Sequence, residues 1–75
     1  MVKYDYSKLS GKIVEVFGTQ AIFAEAMGMS ERTLSLKLNN IRSFKQPEIT
    51  RACTLLKIAV CDIPEYFFTI EVQLA

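Results

Sequence analysis

Residues 19–40 read TQAIFAEAMGMSERTLSLKLNN, two short amphipathic patterns that meet at a glycine. In the first, Phe23, Ala24 and Met27 recur at steps of one and three, which puts them on one face of a helix starting just after Thr19. Thr19 suits the N-cap, and Gly28 supplies the residue without a Cβ that a helix end needs when the chain turns left-handed. Met29 can then turn back onto the core. Ser30 offers a second N-cap and Glu31 favours the positive end of the new helix dipole. The second helix is expected over residues 31–39, with Leu34 and Leu38 on its buried side and Glu31, Arg32, Ser35 and Asn39 pointing elsewhere.

Arg, Ser and Asn on the outer face of a helix are side chains that read base edges in a major groove. A merely solvated helix face fits the same pattern, and the spacing leaves the two open. The stretch resembles the helix-turn-helix of the lambda-repressor-like family, the Cro and repressor proteins of phages. Gln20 opens the first helix, Ala24 sits where the helices touch, Gly28 makes the turn, and Leu34 plugs the second helix; with the flanking helices the resemblance covers residues 7–68. It implies a compact all-α domain of five helices that binds double-stranded operator DNA as a homodimer and regulates transcription. On that reading Arg32, Ser35, Leu36 and Asn39, with Glu31 and Gln20 at the margin, face the bases. Thr19, Lys37, Asn40, Arg42 and Lys45 border them and are expected on phosphates. One departure concerns Lys37, which stands where the family usually has an apolar residue. Leu38 is expected to replace it, which leaves the rotation of the recognition helix open by part of a turn.

The rest of the composition fits a small regulator. At 75 residues, 51% of them hydrophobic, the chain is one domain near the lower size for a self-sufficient core, and some apolar surface is expected to meet another subunit. Net charge is only +1, but residues 1–45 carry +3 and residues 46–75 carry −2. The helix-turn-helix thus lies in the basic part, the polarity of a small DNA binder, although so small a difference also arises by chance. With no histidine and two cysteines, Cys53 and Cys61, a structural zinc is not expected, and no cofactor is implied. The spacing of the two thiols is compatible with a disulfide. Cys53 lies on an apolar helix face, however, and both are read as reduced in a cytoplasmic protein. No apolar run spans a membrane and residues 1–8 lack the build of a signal peptide.

Taken in order, residues 1–6 form a short arm, read either as a DNA-reaching extension or as an end with one tyrosine on the core. Ser7 is expected to cap a first helix with Leu9, Ile13, Val16 and Phe17 as its buried stripe, and Gly18 to stop it. Residues 39–46 are a loop in which Phe44 anchors to the core and holds Arg42 and Lys45 outside. Pro47 opens a fourth helix with Ile49, Ala52, Cys53 and Leu56 inside and Glu48 and Arg51 outside. Asp62 is expected to cap a short fifth helix containing Pro64, Tyr66, Phe67 and Phe68. The tail, residues 69–75, alternates strictly through Leu74, with Ile70, Val72 and Leu74 on one side, the period of a half-buried strand. A lone strand in a helical chain has two outlets. It lies on its own core as an extended tail, or it pairs with its twin so that Tyr66, Phe67, Phe68, Ile70, Val72 and Leu74 form a dimer interface.

An enzyme lacks its parts here, because no histidine, metal set or phosphate loop is present and no small-molecule substrate is implied. A protein-interaction module of antirepressor type, using the same fold without DNA, is the stronger rival. The single domain points to a Cro-like short regulator or a separated DNA-binding domain.

Overall fold

Capping chemistry sets the helix boundaries. In the computed structural model, which describes residues 3–71, α1 spans Ser7–Phe17, α2 Gln20–Met27, α3 Glu31–Leu38, α4 Gln46–Leu56 and α5 Ile63–Phe67, the last entered through a 3-10 turn at Val60–Asp62. The expected all-α, five-helix architecture is found. The Thr19 hydroxyl accepts the Ile22 N–H at 3.2 Å and the Ser30 hydroxyl accepts the Thr33 N–H at 3.1 Å, each satisfying a donor that a helix start leaves open. Gly28 lies at φ +76°, and the Met29 N–H returns to the Ala24 carbonyl at 3.0 Å. Ser7 is already helical and does not cap α1. Its N–H and hydroxyl instead donate to the Asp5 carboxylate, which holds that carboxyl below the usual range. Asp62 makes no side-chain cap at α5, which Pro64 opens as expected.

Leu9 and Ile13 of α1, Phe23, Ala24 and Met27 of α2, Leu34 of α3, Ala52, Cys53 and Leu56 of α4 and Phe67 of α5 form one buried cluster, joined by Tyr6 and Ile58. Val16 is 46% exposed, at the edge of the α1 stripe rather than within it. Cys53 is buried and Cys61 exposed, both free; burial pushes the Cys53 thiol up. Lys8 pairs with Glu65 and lies over the Tyr66 ring at 4.9 Å, tying α1 to α5. No helix is long and apolar enough to cross a membrane among the described residues.

The rotation of α3 corrects two expectations. Lys37, expected on phosphate, is 5% exposed and takes the inner position beside Leu34, while Leu38 is only half-buried. Its ammonium donates to Glu48 Oε1 at 2.8 Å and to the Ser43 carbonyl at 3.0 Å. A buried ammonium without partners is costly, so the inward turn depends on Glu48 being there to receive it. Glu48, expected outside, therefore faces α3, and the same Oε1 accepts the Lys45 N–H at 2.9 Å at the start of α4. Burial works to raise the Glu48 carboxyl, but hydrogen bonds from Lys37 and the Lys45 amide leave it below its usual range. A carboxyl lowered in the folded chain stabilises fully above the ordinary carboxylate range, and that stabilisation is lost as pH falls through the lowered value.

The arm and the tail correct two more. Tyr4 and Ile70 form an antiparallel bridge, with Asp5 N–H to the Thr69 carbonyl at 2.7 Å and Glu71 N–H to the Lys3 carbonyl at 2.9 Å. The tail thus has an intrachain partner and is no lone strand; only this isolated bridge forms among the described residues. In such a pair the backbone groups of Tyr4 point away from Ile70. Asn40 meets them. Its Oδ1 accepts the Tyr4 N–H at 2.8 Å and its Nδ2 donates to the Tyr4 carbonyl at 2.9 Å, so the amide acts as a third peptide strand. Asn40 sits at φ +64°, a left-handed position that Asn tolerates well. It was expected on phosphate, and its amide is engaged inside the fold.

Two outcomes follow for stability. Glu48→Ala strands the Lys37 ammonium and removes an α4 cap, and is expected to cost about 3 kcal/mol in urea unfolding, whereas Lys37→Met stays within about 1 kcal/mol of the parent. A loss below about 1 kcal/mol for Glu48→Ala would contradict a buried pair. Asn40→Gly keeps the left-handed backbone but removes both amide bonds, and should speed exchange of the Tyr4 amide hydrogen about tenfold or more. An unchanged Tyr4 rate would show the arm to be held by other contacts.

Candidate functional site

The outer surface of the α2–turn–α3 unit is where most residues proposed for base and phosphate contact lie. Leu34 and Lys37 hold α3 by its inner face. Glu31, Arg32 and Asn39 are left exposed, and Ser35 and Leu36 half-buried along the outer side. Thr19 is exposed with its hydroxyl oxygen already capping α2, and Gln20 is half-buried. Asn39 folds back on its own helix, donating from Nδ2 to the Ser35 carbonyl at 2.8 Å and to the Ser35 hydroxyl at 3.3 Å. Its Oδ1 carries no such bond among the described residues.

After α3 the chain closes tightly. The Ile41 and Arg42 amides both return to the Leu36 carbonyl, at 2.9 and 3.2 Å, satisfying the end of the helix. This turn throws the Ile41 and Arg42 side chains outward, and Lys45 is exposed at the start of α4. Phe44 packs inward as expected, edge-to-face with Tyr6 and Phe67, each at 5.4 Å between centroids. With Lys37 and Asn40 engaged inside, the exposed cations of residues 19–45 are Arg32, Arg42 and Lys45, beside the exposed carboxylates Glu25 and Glu31. Ile22 on α2 is 52% exposed and Ile41 is 69% exposed. The surface is therefore mixed: apolar residues, amides and a small excess of positive charge.

Sequence reading missed two side chains that shape this unit. Glu48 is one. Arg51 is the other: its guanidinium donates to the Met27 carbonyl at 3.2 Å, favourable at a helix C-terminus where carbonyls stand open. A charged residue at a position patterned as apolar, Lys37, with an acidic residue at the next helix start was the available signal for the first. Arg51 gave none, because its partner is a backbone atom.

The expected dimer surface is only partly available. Phe67 is 1% exposed and belongs to the core, so it is withdrawn from that surface: a five-residue helix turns it inward between α1 and the Phe44 loop. Tyr66 is half-buried, and Phe68 and Ile70 are 49% and 58% exposed. Val72 and Leu74 lie outside the described residues.

Comparison with known proteins places the chain. No curated protein matches it. Among solved structures it is similar to the solution structure of the modulator of repression (MOR) of the temperate bacteriophage TP901-1 from Lactococcus lactis. The two share 54% identity over 93% of this chain and 95% of that one, with a TM-score of 0.78. Residues 2–70 match the family described as protein of unknown function (DUF739), and the chain belongs to that family.

Proposed function

We propose that this protein is a phage regulator that modulates repression, and that it does so by binding a protein of the repression system through the outer surface of α2–turn–α3. Its similarity to a modulator of repression supports the first part. The observation that carries the second is the fate of Lys37, whose ammonium is committed to Glu48 and the Ser43 carbonyl. Operator binding rests on phosphate neutralisation, with a salt slope of about −0.9 per neutralised phosphate. Three exposed cations beside two carboxylates give a weak electrostatic footprint. Exposed Ile22 and Ile41 together with Arg32 instead match the apolar-plus-arginine make-up of protein interfaces. The repressor of the same phage is the first partner to test.

Operator reading is the second interpretation, favoured by the capped helix-turn-helix geometry and by exposed Arg32, which suits bidentate pairing with guanine. A homodimer on a near-palindromic site belongs to this reading, with Phe68 and Ile70 as its remaining apolar surface.

Binding at about 50 and 200 mM salt separates the two. The intact protein should bind its phage's purified repressor with little loss at the higher salt, and Arg32→Ala or Ile41→Glu should weaken that binding. Operator fragments alone should bind poorly. Sequence-specific DNA binding that falls steeply with salt, with no affinity for the repressor, would establish operator reading instead.

A further inference from the structure

A cavity of about 260 Å³ opens where the arm, the loop after α3 and α5 meet. Tyr4, Tyr6, Phe44, Phe67 and Phe68 wall it, and exposed Arg42 stands at its mouth. The walls are set before any ligand arrives. Tyr6 and Phe67 are core residues locked edge-to-face with Phe44, and Tyr4 is fixed by the Asn40 amide and meets Phe68 edge-on at 6.1 Å. Its volume falls below the roughly 300–1,000 Å³ of pockets that enclose drug-sized ligands, and suits a single large side chain.

Some of the polar groups around the cavity are already taken. The Asn40 amide is bonded to Tyr4, and the Ser43 carbonyl receives Lys37. What remains is an aromatic box with the Tyr4, Tyr6 and Ser43 hydroxyls and one guanidinium, which pairs with no carboxylate among the described residues. No carboxylate of the described residues lines the cavity. We propose that this cavity is an anchor site for a protein segment that inserts an aromatic or large aliphatic side chain between Tyr4, Phe44 and Phe68 and sets a neighbouring carboxylate on Arg42. One feature favours a peptide over a nucleic acid: a single cation gives a phosphate chain little hold. Arginine is also suited to holding a carboxylate in a forked, two-bond geometry. The proposal rests on the reading that the protein's partner in repression is another protein. It adds where that partner anchors: Asn40 and Arg42 directly follow α3, so a partner covering the recognition helix reaches the cavity mouth.

The test uses the intact, isotope-labelled protein and three tetrapeptides: acetyl-Glu-Phe-Leu-Glu-amide, its Gln-Phe-Leu-Gln counterpart, and Glu-Ala-Ala-Glu. The first should shift backbone resonances of Ser43, Phe44 and Phe68. Replacing its acids by amides should weaken binding about fivefold, as for an exposed ion pair. Arg42→Gln should erase the difference between the two, and Phe68→Ala should weaken both. The alanine peptide should not bind. Equal affinity of the acidic and neutral peptides, shifts confined to other surfaces, or tighter occupation of the same cavity by a thymidine tetranucleotide would each overturn the proposal. Repressor binding measured in parallel keeps the two readings apart. A repressor that binds equally well to the parent, Arg42→Gln and Phe68→Ala proteins defeats the anchor site alone, whereas peptide binding without repressor binding defeats the functional reading and leaves the site standing.

Discussion

The buried contact between Lys37 and Glu48 decides which way α3 faces. Ion pairs out of water add little net stability, since desolvation offsets much of the attraction. Their effect is on selection among arrangements: with Glu48 placed at the start of α4, the only inward rotation of Lys37 that strands no ammonium is the one that delivers it to that carboxylate. That rotation keeps Leu34 inside, tilts Leu38 toward the edge, and presents Arg32, Ser35, Leu36 and Asn39 outward. The same carboxylate caps α4, so the third helix, the fourth and the loop between them are held at one point. The Phe44 ring lies 6.0 Å from the ammonium, which adds a favourable aromatic face on the buried side.

A second clasp works at the other end of that loop. Asn40, locked left-handed just past α3, bonds the arm through both atoms of its amide, and the arm in turn bridges the chain after α5. Described residues near the two ends of the sequence are thereby tied to α3 without an extended sheet among them. This clasp also builds the aromatic cavity, because it fixes Tyr4 as a wall. The outer surface of α2 and α3 and the cavity therefore share a frame, and a partner at one would be close to the other.

Much of this was legible in the sequence. Thr19, Ser30 and Gly28 announced the ends of α2 and α3 and the turn between them by local chemistry, and the spacing of Phe23, Ala24, Met27, Ala52, Cys53 and Leu56 named the core, because both signals act within a few residues. What escaped depended on partners far away along the chain. Lys37 was read as a surface cation because nothing local offers it a carboxylate, and Asn40 as a polar contact because its partner lies in the arm. The alternation of the tail revealed a half-buried edge but not what would meet it. Phe67 and Phe68, adjacent and chemically alike, differ only in the direction a short helix turns them. At the proposed site these misses changed the conclusion, since removing Lys37 and Asn40 from the phosphate set weakens the case for DNA and strengthens that for a protein partner.

The direct measurement is a carbon-detected NMR titration of the side-chain carboxyls in the intact protein and in Lys37→Met. The account predicts that Glu48 titrates below the usual carboxylate range in the parent and moves upward when the ammonium is removed. A Glu48 that titrates in the ordinary range in both proteins would place Lys37 in solvent, rotate α3 to another face, and return that cation to a DNA-binding surface.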